Sequence, residues 1–302
     1  MRLEAVQLNE HIQYLDNGLL DAPGVGSTYV VCGDEIAIVE TGTSGCAPQV
    51  LGGLQRLGIK PAEVRHIVLT HIHMDHAGGT GTLLPAMPEA RVYIHSRTAK
   101  YLSEPADLLT SAQRALGPIF ALHGTVEPVP PERIVYADEL ELDLGRGVTL
   151  QAIATPGHSP DHLAYYEASS RCLFTGDSVG ISLPIIGFDG PVTPPPATNI
   201  AAQRETFAKL LALDVETLLF SHYGPGVPRP RDHIGLLQER FEDLVAVVEA
   251  QWRAGRIDHA TIVRAMLERH ELSPEHAAIM VGWITMSING LVLAFERAVR
   301  KA

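Results

Sequence analysis

The run Thr70-His71-Ile72-His73-Met74-Asp75-His76-Ala77-Gly78-Gly79 places three imidazoles and a carboxylate within six residues. The apolar, β-branched segment His66-Ile67-Val68-Leu69 leads into it and Ala-Gly-Gly follows. A strand is therefore expected to deliver its C-terminal end into a turn, with a helix beginning just beyond. Side chains alternate along an extended segment, which would put His71 and His73 on one side, able to grip one cation. Asp75 and His76 lie past the turn, free to face a second. Imidazole together with carboxylate suits zinc, manganese, iron, cobalt or nickel better than the metals that prefer thiolate.

Three later segments repeat the pattern of an apolar strand ending in a ligand-type residue. Residues 148–153 precede Thr155-Pro156-Gly157-His158-Ser159-Pro160-Asp161-His162, where Pro-Gly forces a turn and holds His158 at the rim. Residues 163–166 and 171–175 read as a hairpin that ends in Gly176-Asp177. Residues 216–220 run into Ser221-His222-Tyr223-Gly224. His162, four residues after His158, reads as a supporting residue or a purely structural one. His11, His66, His95, His123, His233, His259, His270 and His276 have no ligand spacing and read as surface or core positions.

Upstream, residues 24–32 and 35–40 form an expected hairpin about Gly33-Asp34, followed by a helix from about 46 to 57. Strands are expected over 61–71 and 91–95, with a helix after Gly81. Residues 96–132 read as helical or irregular, broken by Gly117-Pro118 and by Pro128, Pro130 and Pro131, and long enough to wall or cover a pocket. The proline-rich stretch 181–197 is stiff and poor in backbone donors, and is read as one wall of the same cleft. Ile186 and Phe188 are its expected apolar contacts, and Tyr223 is a third candidate pocket residue.

Beyond Pro230 only helices are expected: one to Ala254, one capped by Asp258, and one opened by Ser273-Pro274-Glu275. The last carries an uncharged run from Ala277 to Phe295, long enough to span a bilayer. Thr285, Ser287, Asn289, Gly282 and Gly290 interrupt it, which favours burial against its own domain or a twin subunit over a membrane.

A formal net charge of -12 argues against a nucleic-acid partner, since phosphate contacts need clustered Lys and Arg. The three widely spaced cysteines, Cys32, Cys46 and Cys172, offer no disulfide framework and fit a reducing cytoplasm. The start, Met1-Arg2-Leu3-Glu4-Ala5-Val6-Gln7, lacks the apolar core of a secretory signal.

The H-x-H-x-D-H segment, together with the Pro-Gly-His, Gly-Asp and Ser-His-Tyr-Gly segments in that order, resembles the signature of the metallo-β-lactamase-fold hydrolases over roughly residues 20–230. The resemblance implies an α/β (α+β) protein with a four-layer αββα sandwich over residues 1–230, and the helices beyond Pro230 are read as an all-helical C-terminal extension over 231–302 that packs on it or dimerises. It implies that His71, His73 and His158 hold one divalent ion, that Asp75, His76 and His222 hold the other, and that Asp177 bridges them. Zinc is the first expectation, with Mn, Fe, Co or Ni as alternatives. Glu40 stands where the family usually has aspartate, and is read as an acceptor for a ligand histidine.

No Ser or Cys sits with a dedicated base, so a metal-bridging hydroxide is the expected nucleophile and Asp75 the catalytic residue that orients it and passes on its proton. The expected substrate is a small-molecule ester, lactone or thioester, as in the acyl-homoserine lactonases and glyoxalase II-type members that the flanking motifs resemble. Alternatives are lactamase-like amide hydrolysis, a persulfide dioxygenase using one iron on His71, His158 and Asp177, and a binding protein without turnover.

Overall fold

The computed structural model describes residues 5–301; residues 1–4, within the N-terminal stretch that lacks the apolar core of a secretory signal, and residue 302 lie outside the described residues. Two sheets form the centre. The first has seven strands whose spatial order follows the chain: Val6–Gln7, Ile12–Asp16, Ser27–Cys32, Ile36–Val39, Val64–Val68, Arg91–Ile94 and Ile134–Tyr136. Its first four strands pair antiparallel and the last four parallel. The second runs Gly224–Pro225, Thr217–Phe220, Cys172–Gly176, Leu163–Glu167, Thr149–Ala154, Glu141–Asp143 in space. The helices are α1 (Ala47–Arg56), α2 (Met74–Ala77), α3 (Thr80–Leu83), α4 (Lys100–Ser103), α5 (Ala106–Leu116), α6 (Ile200–Leu211), α7 (Pro230–Arg253), α8 (His259–Leu267) and α9 (Pro274–Lys301).

The period-2 alternation of the strands explains the layering. Tyr29, Val31, Ala37, Val39, Val68 and Tyr93 join Leu150, Leu163, Tyr165, Phe174 and Leu219 in one buried cluster, the interior between the sheets. The residues between them, Val30, Ile38, Ile67 and Val92, belong with Val50 and Leu54 of α1 to the other cluster. Ala164, Leu173 and Leu218 of the second sheet likewise join Phe207 of α6 and Phe241 of α7 there. Each central strand thus buries both faces, and helix covers both outer faces, which is the expected αββα sandwich. Each fully buried Ile, Leu or Phe contributes roughly 1.5–3 kcal/mol.

The structure departs from expectation at short elements. The strand before the histidine cluster stops at Val68, so His71 and His73 lie on a loop and the pleat does not set their common direction. The stretch 181–190 contains a two-stranded ribbon, Ile181–Leu183 with Phe188–Gly190, and Glu141–Asp143 is a strand that was not expected. Runs of three residues are too short for hydrophobic periodicity to register.

The C-terminal helices share the helix-side core: Ile279, Met280, Trp283, Ile288 and Leu291 of α9 cluster with Leu237 and Phe241 of α7. Asp258 caps α8 by accepting from the Thr261 N–H, as its position suggested. Among the described residues α9 is the one helix long and apolar enough to cross a membrane, and 50% of its most apolar stretch is buried inside the fold.

Candidate metal centre

The seven ligand-type side chains meet at one edge of the sandwich, where Val64–Val68, Thr149–Ala154, Cys172–Gly176 and Thr217–Phe220 end. Their donor atoms form three overlapping groups, His71/His73/His158, His71/His76/Asp177 and Asp75/His76/His222, with all atoms of a group within 4.8 Å of one another.

Neighbouring backbone decides which nitrogen each imidazole offers. Nδ1–H of His158 donates to the Val192 carbonyl at 3.0 Å, and Nδ1–H of His222 to the Val25 carbonyl at 3.0 Å. Thr70 Oγ1 donates to Glu40 Oε1 at 2.5 Å, so it accepts from His71 Nδ1–H at 2.9 Å. All three therefore turn a bare Nε2 lone pair inward. His71 Nε2 and His158 Nε2 both lie 2.9 Å from His73 Nδ1, which has at most one proton to share between them. Three nitrogens this close with so few protons repel one another unless a cation sits among them. The donor set fits a divalent metal.

Asp177 reaches both halves. One of its oxygens lies 3.4 Å from His158 Nε2 and 3.5 Å from His76 Nε2, and the other 3.5 Å from His222 Nε2. Its Oδ1 is buried without a hydrogen-bond donor. Asp75 is the partly open carboxylate, 17% exposed, with Oδ2 3.7 Å from His222 Nε2.

The electrostatics follow from burial and these contacts. Burial, then the neighbouring imidazoles, push His71 well below the ordinary histidine value, and burial and His158 take His73 down to about 4. Burial lowers His158 as well, against the pull of Asp177. Burial also works against protonation of His76, but Asp177, Glu40 and Asp75 outweigh it and raise that imidazole well above its usual range. Burial would raise the carboxyls of Asp177 and Asp75; the surrounding histidines, His76 first, overcome it and keep both low and ionised.

Glu40 is buried with Oε1 3.5 Å from His76 Nδ1, but that nitrogen has no hydrogen-bond partner, so the expected acceptor contact to a ligand histidine is not formed. The same oxygen accepts from Thr70 and from Ser221 Oγ at 3.3 Å, so it ties together the segments carrying His71 and His222. Two residues that matter here carried no assigned role in the sequence. Asp161 accepts from the Ile72 N–H at 3.0 Å, from Thr98 Oγ1 at 2.7 Å and from Ser159 Oγ, anchoring the loop between His71 and His73. His123 is buried, its Nδ1 bonded to the Ile119 carbonyl and its Nε2 unpartnered. An acid three residues after the Pro-Gly-His turn was the available signal for Asp161; His123 had none.

A cavity of about 310 Å³ opens onto His73, Asp75, His158, Asp177 and His222. α5 forms one wall with Leu108, Ala112, Ala115 and Leu116, a helical stripe, as expected of the 96–132 segment. Val192 and Pro194, Pro195 and Pro196 form another, so the proline-rich stretch is a wall. Ile186, Phe188 and Tyr223 are not among the residues that line it. Ile186 and Phe188 turn into the core, with Phe188 edge-on to His270, and Tyr223 packs edge-on against Tyr14. Ile181, at the other end of the same ribbon, is the residue of it that lines the cleft. Trp283 and Met286 of α9 complete the lining.

Residues 21–222 match the sequence profile described as the metallo-beta-lactamase superfamily. A metallo-beta-lactamase fold-containing protein of Sulfurisphaera tokodaii is 28% identical over 242 residues, 78% of this chain and 84% of the relative. A probable metallo-hydrolase of Bacillus subtilis, YybB, is 28% identical over 176 residues, 57% of this chain and 70% of that protein. The crystal structure of an archaeal metallo-beta-lactamase superfamily protein from Sulfolobus tokodaii superposes with a TM-score of 0.73 at 25% identity, covering 94% of this chain and 98% of that one.

Proposed function

This chain belongs to the metallo-beta-lactamase superfamily, and from that premise we propose that it is a hydrolase, dependent on two divalent cations, that cleaves an ester, lactone or thioester of a small, largely apolar molecule. The observation that carries the reading is the pairing of two complete donor groups with an apolar cleft. His71, His73 and His158 would hold one ion, Asp75, His76 and His222 the other, and Asp177, which faces both, would lie between them. Ions bound there would supply a nucleophilic water at neutral pH and draw electron density from a carbonyl oxygen.

The chain's own residues account for the remaining steps. Asp75 is ionised and stands at the mouth of the site, where it can take a proton from the attacking water and return it to the leaving oxygen or sulfur. Ile72, Met74, Leu108 and Trp283 shield the reacting bond from bulk water. Asp107 and Asp161 line the cleft, and no lysine or arginine does among the described residues. Substrates that carry a carboxylate or phosphate, such as β-lactams or glutathione thioesters, would lack a counter-charge, so an uncharged acyl group is favoured.

The test is metal analysis of the purified protein alongside turnover of uncharged aryl esters, γ-lactones, simple thioesters and β-lactams, before and after chelation. Near two equivalents of zinc, manganese or cobalt with chelator-sensitive hydrolysis of the uncharged substrates is expected. One equivalent of iron and no hydrolysis would overturn the reading in favour of the dioxygenase alternative.

A further inference from the structure

The carbonyls that orient His158 and His222 belong to two loops, and both loops are fastened to the same C-terminal helix. Val192, the acceptor for His158, is followed by Thr193, whose N–H donates to Ser287 Oγ at 3.2 Å and whose Oγ1 donates to the Ser287 carbonyl at 2.9 Å. The helix backbone lies so close that a Cβ on Gly290 would fall 1.8 Å from the Thr193 carbonyl oxygen, so only glycine fits there. Val25, the acceptor for His222, lies two residues beyond Pro23, whose carbonyl bonds to His276 Nε2 at 3.1 Å in the first turn of α9. Between these ties, the Trp283 ring packs against His222 itself, with centroids 4.9 Å apart and planes at 66°, and is only 4% exposed.

We propose that α9 is a positioning element of the metal centre: Trp283 holds the His222 imidazole in place for one cation, and Ser287 and Gly290 hold the Val192–Thr193 segment that orients His158 for the other. The helix thereby acts on how tightly the two ions bind, beyond its share of the core. Partners that hold a ligand's other ring nitrogen typically govern metal affinity by about 10–100-fold. The inference rests on the seven side chains being a metal site, and it extends that reading to a helix outside the matched family segment, residues 21–222.

The experiment compares Trp283→Phe, Trp283→Ala and Ser287→Ala with the parent chain. Each is stripped of metal, titrated with zinc against a fluorescent chelator, and examined as the cobalt-substituted protein by visible absorption. Melting of the metal-free forms reports folding separately. Trp283→Ala should weaken one equivalent by about tenfold or more and change the cobalt absorption, while Trp283→Phe, which keeps an aromatic edge against His222, restores most of both. Ser287→Ala should weaken the other equivalent while melting cooperatively. Parent-like zinc affinity and cobalt absorption in Trp283→Ala and Ser287→Ala would overturn the role of α9 and leave the metal site standing. A parent chain that binds no zinc or cobalt would overturn both. Weakened zinc binding in the variants, with no hydrolysis by the parent, would overturn the proposed hydrolysis and leave the role of α9 supported.

Discussion

The backbone N–H of Asp177 donates to His162 Nε2 at 3.0 Å. This bond makes His162 an acceptor at Nε2, so its proton sits on Nδ1 and is donated to Thr155 Oγ1 at 2.8 Å. The ring then stacks on His71, 4.8 Å between centroids at 30°. His162 is thus a neutral spacer that fixes where Asp177 and His71 stand. Gly176 is required beside it: its φ is +51°, and a Cβ there would meet His162 Nε2 at 2.5 Å. His162→Leu leaves the Asp177 N–H buried without an acceptor. The variant should lose about 1–3 kcal/mol of stability and bind zinc about 10–100-fold more weakly, read by thermal melting and chelator competition.

Asp75 and Asp177 both line the cleft and belong to donor groups, and Asp75 is the more exposed, 17% against 3%. Asp75→Asn keeps the shape and removes the proton acceptor. Turnover of an uncharged ester should fall by about 10²–10⁴, while zinc held by His71, His73 and His158 remains. Elemental analysis and steady-state kinetics on one preparation decide it, and undiminished turnover would remove Asp75 from the chemistry.

Acid should destabilise the metal-free protein earlier than it would a protein without this site. His71, His73, His158 and His162 all have folded-state values below the ordinary histidine value, chiefly through burial. The unfolded chain titrates near 6.5, so below that pH, and for His73 down to about 4, it binds more protons than the folded chain, and stability falls as pH falls, by at most about 1.4 kcal/mol per pH unit for each group. His76, raised in the fold, works in the opposite sense: its contribution is present below 6.5 and fades as pH rises through its folded value. Urea midpoints of the metal-free protein from pH 7 to pH 5 should therefore drop steadily, and a flat profile would contradict the buried neutral imidazoles.

An apolar cleft of about 310 Å³ should reward acyl length. Each added methylene contributes about 0.8 kcal/mol on burial, so kcat/KM for a series of linear acyl esters should rise about fourfold per carbon until the cleft is filled. Leu108→Asp, placed on the α5 wall, should flatten that series without reducing the number of bound ions. A series with no dependence on chain length would mean that the acyl group lies elsewhere.

Much of this protein was legible from residue order alone. The turn residues Gly33-Asp34 between the β-branched runs Ser27–Cys32 and Ile36–Val39 marked the hairpin, because a turn signal between two strand-forming runs is a local feature. Pro-Gly before His158, Gly before Asp177 and the apolar run before His222 marked strand ends, because turn residues and ligands there are local features. These strand ends, taken with the family resemblance, marked the seven ligand-type residues, since imidazole and carboxylate are what a divalent ion binds. Other features belong to tertiary structure. His71 and His73 converge through a loop anchored by Asp161, 89 residues from Ile72. Trp283 and Met286 reach the cleft from a helix whose composition indicated an apolar surface but not what it meets, and Ile186 and Phe188, adjacent in sequence to a wall, are buried in the core and do not line the cleft. Local propensity sets which way a side chain alternates along its own element, but what it meets depends on how distant elements pack, and that is settled only when the whole core closes.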